Sequence, residues 1–302
     1  MNIEKAQEFI YRNARPLDLA RWNYLFENGD KENVLKILSS YQNEDGGFGH
    51  GLEPDCWNPN SSPVQTWMAT EIIKEVGLKD ASHPIIQGIL SYLSLNKDFN
   101  GHTWLNTISS NNDFPHAPWW TYDPSQEQSY NPTACLIGFI LKYAEQNSEL
   151  YQTAICLTKE AYAYFKTNFP MESMHTVSCF VELYEYLKES HNENLLDMRE
   201  YEDLLQKQIR HILTYDTSVW AVEYVCKPSL FISSKNSIFH DENKDICQFE
   251  CDFISSTQEA DGTWNITWAW DEYPEQWCIS KNWWKSDLII KNLKFYNAIR
   301  GQ

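Results

Sequence analysis

The feature that most constrains the fold is a short phrase that occurs twice in the chain. Residues 42–48 read Gln-Asn-Glu-Asp-Gly-Gly-Phe, and residues 258–264 read Gln-Glu-Ala-Asp-Gly-Thr-Trp. Each copy has a Gln, two variable residues, Asp-Gly, a small residue and an aromatic residue, and each leads through a loop into an apolar helical segment. Internal repeats of this kind are typical of folds that stack one supersecondary unit several times. The sequence therefore predicts recurring helical hairpins.

Hydrophobic periodicity supports an all-α class. Apolar residues recur at helical spacing in about eleven segments: 6–10, 17–26, 34–41, 64–76, 85–93, 134–143, 154–165, 177–187, 195–212, 249–254 and 284–296. Only residues 219–222 are expected to be extended. Pro16 and the pair Ser62-Pro63 are expected to open helices, and Asn131 is expected to cap one. The prediction is an all-α protein with hardly a strand.

Four long loops separate these helices, at residues 43–62, 99–131, 214–246 and 259–282. Loops longer than about a dozen residues are uncommon in compact domains and often functional. No linker composition interrupts the chain, so residues 1–302 are predicted to form one domain whose loops gather at one face.

Charge and composition exclude several partners. The formal net charge of -18 and the lack of a basic cluster disfavour nucleic acid and anionic membrane surfaces. The longest apolar run, residues 134–141, is too short to span a bilayer, and residues 1–7 do not resemble a signal peptide, so a cytoplasmic location without an integral membrane segment is predicted. The eight cysteines are expected to be mostly free, buried thiols.

A family resemblance follows from the repeated phrase. The stretch Gln42 to Thr70, with Gly-Gly-Phe-Gly-His-Gly at 46–51, resembles the repeat of squalene–hopene-type terpenoid cyclases and protein prenyltransferase β subunits. A second copy runs from Gln258 to Leu293, and residues 101–134 resemble a third, degenerate one. The resemblance implies an α/α toroid, in which inner and outer rings of helices surround a central cavity that is open at one end and holds a small-molecule ligand.

The chain lacks the catalytic motifs of that family. It contains no Asp-Asp pair, so neither the acid motif of the cyclases nor an aspartate-rich magnesium motif is present. Asp245-Ile246-Cys247 has the spacing of the prenyltransferase zinc motif, but its surroundings do not match, and Cys251 with His240 does not complete a set of three or four ligands. We therefore predict no metal site and no cofactor.

The most unusual local sequence is the loop that follows the first copy. Glu53 and Asp55 flank a proline and suit general acid–base chemistry, and His50 and Trp57 on either side of them are predicted to bind the substrate. A carboxyl in an apolar cavity can also keep its proton near neutral pH. The structural alternative is that both acids accept hydrogen bonds from loop amides.

Two further groups are predicted to bind ligand through aromatic side chains. A proline-rich loop carries His116, a candidate catalytic residue, together with Trp119, Trp120 and Tyr122. Near the second copy, Trp268 and Trp270 lie among acidic residues. Large aromatic rings can stack on an isoprenoid, a cation or a sugar, whereas their commoner role is core packing.

Three functions agree with these features. The leading hypothesis is an enzyme that acts on a hydrophobic small molecule by acid–base chemistry of Glu53, Asp55 and His116 in an aromatic-lined cavity. The second is a carbohydrate-active toroid, namely a hydrolase, epimerase or lyase on neutral sugars. The third is a toroid without catalytic activity that binds a peptide, lipid or partner protein. Fold resemblance alone does not choose among them.

Overall fold

A computed structural model of the protein describes residues 1–301. Over these residues the chain forms eleven α-helices and no β-strand, which confirms the all-α class. The helices are α1 Ile3–Asn13, α2 Pro16–Phe26, α3 Lys31–Leu38, α4 Pro63–Glu75, α5 Pro84–Ser94, α6 Thr133–Tyr143, α7 Glu149–Thr167, α8 Met174–Glu189, α9 Met198–Ile212, α10 Lys244–Ser256 and α11 Pro274–Arg300. Short 3₁₀ turns lie in the connecting loops.

Each of the eleven predicted segments overlaps one helix, but two local predictions are wrong. Residues 219–222 are not extended, because the Asp216 side chain accepts a hydrogen bond from the Ser218 amide and starts a 3₁₀ turn over Thr217–Val219. Asn131 does not cap α6, whose N-cap is Pro132. Pro132, with φ -92° and ψ 11°, takes the cap position itself, so Asn131 lies one residue further from the helix.

Other predicted features of the chain are confirmed. Pro16 is the first residue of α2, and the Ser62 hydroxyl caps α4 by accepting a hydrogen bond from the Gln65 amide at 3.2 Å. A first-turn proline and a serine cap both suit the free amide groups at a helix start. All eight cysteines are free, and six are buried, with Cys156 and Cys278 exposed.

Contacts between Cα atoms divide the chain into two compact units. One unit is Leu38–His211, and the other joins Met1–Ile37 with Ile212–Gln302. We call them the middle unit and the terminal unit, and each is described by itself. That residues 1–302 act as one domain stays a prediction.

The middle unit is organised around α6. Every residue of this helix except Lys142 is buried, and α6 contacts α4, α7 and α8. A helix that is apolar on all sides belongs inside a core. Gly138 lets α8 come close, because a Cβ at this position would lie 2.5 Å from the Tyr186 ring.

The terminal unit is organised around the long helix α11, which contacts α1, α2 and α10. A buried ionic cluster ties α2 to α11. The fully buried carboxylate of Asp18 accepts from Arg15 Nε at 2.8 Å and from Arg21 Nη1 at 3.2 Å. The same Arg21 Nη1 lies 2.8 Å from Asp287 Oδ1. Buried charges require such pairing.

The first copy of the repeated phrase folds into a tight turn in the middle unit. Gln42 Nε2 donates to the Gly46 carbonyl at 2.9 Å and to the Ile85 carbonyl in the first turn of α5 at 3.1 Å. Gly46 has φ +89°, and a Cβ there would lie 2.1 Å from the Gly88 carbonyl oxygen of α5. The turn therefore needs glycine and docks directly onto α5.

The second copy forms the same turn in the terminal unit. Gln258 Nε2 donates to the Gly262 carbonyl at 3.0 Å and to the Asn2 carbonyl at 3.1 Å, beside the start of α1. Gly262 has φ +88°, and its Cβ would lie 2.3 Å from the Lys5 carbonyl carbon in α1. Relative to the second turn, α1 thus holds the position that α5 holds relative to the first.

The degenerate third segment shares part of this geometry. Gly101 has φ +99°, and the Trp104 amide donates at 2.9 Å to the hydroxyl of Thr133 in α6. In the first copy the Phe48 amide donates at 3.1 Å to the hydroxyl of Thr66 in α4. In both cases the aromatic side chain is buried and joins its turn to the next helix.

Candidate functional site

The loop with the two candidate acids is held against the first turn of α4. The buried Gln65 side chain accepts a hydrogen bond from the Leu52 amide and donates one to the Asn58 carbonyl, both at 2.9 Å. Position 49 requires glycine, because a Cβ there would lie 2.2 Å from the Pro59 carbonyl oxygen. Residues 49–62 therefore form a compact, anchored loop.

Asn58 links this loop to the second candidate loop. Its Nδ2 donates to Ser110 Oγ and to Asn111 Oδ1, both at 2.9 Å, and Asn111 in turn donates to the Trp120 carbonyl at 2.9 Å. Both asparagines are buried. Side chains with both donors and acceptors can satisfy two loops at once.

A short antiparallel pairing joins the loop of Glu53 and Asp55 to the loop of His116. The Trp57 amide donates to the Pro115 carbonyl at 2.9 Å, and the Ala117 amide donates to the Asp55 carbonyl at 2.8 Å. Cys56 and His116 are therefore directly opposite as a non-hydrogen-bonded pair. In such a pair the two side chains lie on the same face and close together.

Both candidate carboxylates are buried, with 4% of Glu53 and 1% of Asp55 exposed. Glu53 Oε2 accepts a hydrogen bond from the Asp55 amide at 2.7 Å, so Glu53 also has the structural role considered as the alternative. Burial, the negative charge of Glu53 and, more weakly, that of Asp55 together raise the pKa of Cys56 to about 12. The acids thus act electrostatically on Cys56, which lies opposite His116.

His116 is buried and its ring orientation is set by two contacts. Nδ1 lies 2.7 Å from the Phe114 carbonyl oxygen, and Nε2 lies 3.1 Å from Thr121 Oγ1. A carbonyl oxygen can only accept, so we assign the donor role to Nδ1, and Nε2 is the nitrogen that can accept from Thr121 Oγ1. A base whose second nitrogen is held in this way can take a proton from a hydroxyl.

Thr121 is exposed and was not identified from the sequence. Nothing in the amino-acid pattern distinguishes it from other loop threonines, because its contact with His116 depends on the 3₁₀ turn Pro118–Trp120 between them. Its position in the same rigid, proline-rich loop as His116 is the one feature of the sequence that points to Thr121.

The predicted binding residues of the middle unit differ in their exposure. Trp119 is 43% exposed, whereas Trp57, Trp120 and Tyr122 are half-buried. His50 is exposed, and its Nε2 lies 2.8 Å from Asn43 Oδ1. Trp119 therefore offers the largest free aromatic surface among the candidates in these loops.

The two remaining binding candidates belong to the terminal unit. Trp270 is 1% exposed and packs in the core, with ring centroids 5.7 Å from Trp277 and 6.3 Å from Tyr273. Trp268 is half-buried and makes edge-to-face contacts with Tyr224 at 5.2 Å and Trp284 at 5.3 Å. Of the two, Trp268 keeps a partly accessible surface. Ligand binding by either residue stays a prediction.

A surface pocket of about 390 Å³ also lies in the middle unit, at α8 and α9. Its walls include Tyr184, Lys188, Arg199 and Glu202. None of the predicted site residues borders it, and its charged side chains carry both signs. We therefore choose the paired loops as the candidate site because of the side chains they carry, and not because of pocket volume.

Protein-family models, curated proteins and solved structures give no match to this chain. Over residues 1–301, no group of three or more His, Cys, Asp or Glu side chains is arranged to hold a metal ion, and no helix is long and apolar enough to cross a membrane.

Proposed function

We propose that the protein is an α/α toroid of the terpenoid cyclase and prenyltransferase type. The relation of each Asp-Gly turn to its neighbouring helix supports this proposal. The helix that receives the first turn, α5, follows it in sequence, but the helix that receives the second turn, α1, is at the start of the chain. In a closed ring of hairpins the last repeat must dock onto the first helix.

We further propose an enzyme that transfers protons on an uncharged, hydrophobic small molecule. The observation that carries this proposal is the pairing of residues 55–57 with 115–117, which joins the loop of Glu53 and Asp55 to the imidazole of His116. Two carboxylates and one oriented imidazole are groups that general acid–base catalysis uses.

The roles follow from the geometry. His116 Nε2 is the base, because Phe114 holds the other nitrogen as a donor. The proton that Nε2 takes up would be returned to the product by the imidazolium, or by Glu53 or Asp55 in its protonated form. The acids and the net charge of -18 disfavour anionic substrates.

Isosteric variants test the proposal, because truncating a buried acid would also remove hydrogen bonds. Ligands are first sought by thermal unfolding with isoprenols, neutral oligosaccharides and peptides, since a ligand of the folded state raises the unfolding temperature. Any stabilising ligand is then examined for conversion by mass spectrometry. Turnover should be lost in Glu53→Gln, Asp55→Asn or His116→Gln and kept in Glu44→Gln, a control at an exposed acid.

Unchanged turnover in all three site variants would contradict this assignment. Binding of a peptide or lipid without any conversion would instead favour the toroid without catalytic activity. Folding of each variant is checked by circular dichroism, so that loss of turnover is not confused with unfolding.

One observation favours a second candidate, an enzyme on neutral sugars. Trp119 exposes 43% of its surface in the loop of His116, and an exposed indole ring suits stacking on a sugar. Selective stabilisation by neutral oligosaccharides, lost in Trp119→Ala, would support it. Stabilisation by isoprenols alone would exclude it.

A further inference from the structure

A polar cluster between α4 and α8 is not explained by the proposed function. Lys74 Nζ on α4 lies 2.6 Å from Glu185 Oε2 on α8, and Trp67 Nε1 on α4 lies 3.3 Å from Glu182 Oε2 on α8. Glu71 lies one turn from both Trp67 and Lys74 on α4. All five residues belong to the middle unit.

The cluster has more negative than positive charge. Burial acts to lower the pKa of Lys74, but the charges of Glu182, Glu185 and Glu71 outweigh it, so the pKa is raised well above 10.5. Three carboxylates therefore surround one ammonium group.

Lys142, a second cation at the same tyrosine ring as Lys74, does not offset this excess of negative charge. Lys142 Nζ lies 5.4 Å from the centre of the Tyr186 ring, and Lys74 Nζ lies 5.1 Å from the centre of the same ring. Lys142 is already paired with Glu189 at 2.7 Å. A further positive charge would therefore be stabilised beside the three carboxylates.

A carboxylate oxygen of Glu182 lacks a hydrogen-bond donor. Glu182 is 7% exposed, and its Oε1 is buried without a hydrogen-bond partner, while Oε2 accepts from the indole N–H of Trp67. A buried carboxylate oxygen without a donor carries a cost in desolvation. Such an oxygen indicates a donor that comes from outside the chain.

The surroundings of this oxygen combine apolar surface with access to solvent. Trp67, whose indole N–H bonds the other oxygen of Glu182, is half-buried. The side chains of Lys74 and Glu185 are 28% and 37% exposed, so solvent reaches the edge of the cluster. An indole ring suits the carbon part of a small cationic ligand.

We propose that the cluster between α4 and α8, at Glu182 Oε1, binds a small organic cation that carries a primary ammonium group and a short apolar chain. The ammonium donates a hydrogen bond to Glu182 Oε1 and neutralises part of the excess negative charge, and its carbon chain lies against Trp67. A divalent metal ion would need several convergent oxygen ligands and would be repelled by Lys74. This proposal does not rest on the proposed function.

The test uses n-butylammonium as the probe, measured by isothermal titration calorimetry and by thermal unfolding of the full chain. The comparison ligands are n-butanol, which has no charge, tetramethylammonium, which has no N–H donor, and Mg²⁺. The variant is Glu182→Gln, in which the amide oxygen can still accept from Trp67 while the NH₂ group faces the site. Glu145→Gln, at an exposed position, is the control with the same charge change.

We expect n-butylammonium to bind the wild type and Glu145→Gln with equal affinity. Its affinity for Glu182→Gln should be lower by a factor of about ten or more, as for a lost hydrogen bond to a charged group. n-Butanol and tetramethylammonium should bind more weakly than n-butylammonium. Equal binding to the wild type and Glu182→Gln, stronger binding of Mg²⁺, or no binding of n-butylammonium to the wild type would overturn the proposal.

Circular dichroism shows whether Glu182→Gln is folded. If it is not, Glu71→Gln serves as the second variant, because it removes a neighbouring negative charge. Weaker binding of n-butylammonium to Glu71→Gln supports the proposal, and unchanged binding contradicts it.

Discussion

Gln258 and Asn2 exchange two hydrogen bonds across almost the whole length of the chain. The Asn2 amide donates to Gln258 Oε1 at 2.5 Å, and Gln258 Nε2 donates to the Asn2 carbonyl at 3.1 Å. Asn2 is also the N-cap of α1. The Gln of the second Asp-Gly turn thus attaches the first helix of the chain to a turn near its end.

Replacing Gln258 by Ala should therefore loosen α1 selectively. Because the Asn2 groups are exposed and water can replace the lost bonds, the free energy of unfolding should fall by only about 1 kcal/mol. Hydrogen exchange at the α1 amides should become faster, while the amides of α6 stay protected. Gln42→Ala, whose side chain binds α5, should leave α1 unchanged, and unaltered exchange of α1 in Gln258→Ala would contradict this role.

The glycines of the two turns should tolerate alanine far less than the glycine of the degenerate turn. Gly46→Ala and Gly262→Ala place a methyl group about 2 Å from the backbone of α5 and α1, in addition to the strain of a positive φ. Gly101 has φ +99° but no atom within 4 Å of a built Cβ. Gly101→Ala should cost about 1–2 kcal/mol, which is the strain alone.

Urea unfolding of the three variants measures this difference. We expect Gly46→Ala and Gly262→Ala to lose at least about 2 kcal/mol more than Gly101→Ala, as overpacked sites do. Equal losses in all three would mean that the turns do not dock tightly onto α5 and α1.

Glu250 in α10 should make stability depend on pH. Its carboxylate accepts from the Ser229 amide at 2.8 Å and from the Ser229 hydroxyl at 2.5 Å. Burial nevertheless raises the pKa of Glu250 from 4.5 to about 7. Between these values the folded state binds more protons than the unfolded state, so the free energy of unfolding falls as pH rises, by about 3 kcal/mol in total.

The variant Glu250→Gln should remove this slope, because glutamine does not titrate and can keep both contacts with Ser229. Urea titrations from pH 4.5 to pH 8 would measure it, with Glu259→Gln, at an exposed position, as the control that keeps the slope. The same slope in wild type and Glu250→Gln would show that another group is responsible.

Asn58 should decide whether the two loops of the candidate site stay together. Asn58→Ala removes the donors to Ser110 and Asn111 and leaves Asn111 Oδ1 without this partner, so we expect a loss of about 1–3 kcal/mol. Amides of residues 109–122 should exchange faster with solvent, and any catalytic activity should fall with them. Loss of stability without faster exchange in that loop would show that the pairing of 55–57 with 115–117 holds it instead.

The sequence by itself determined the helical class, most helix positions and the two Asp-Gly turns. These features depend on local spacing: apolar periodicity, a serine followed by proline at residues 62–63, and a glycine that a positive φ requires at residues 46 and 262. It also selected Glu53, Asp55 and His116 as candidates, because acids and a His in rigid loops are unusual.

Only the tertiary structure decided which of these residues meet. Asn58 and the pairing of Cys56 with His116 join loops that are far apart in sequence, and no periodicity records that contact. The contact of His116 with Thr121 and the unpaired oxygen of Glu182 likewise arise from the way helices and loops pack. Burial and hydrogen-bond pairing depend on neighbours in space, and a linear pattern specifies those only within a few turns of helix.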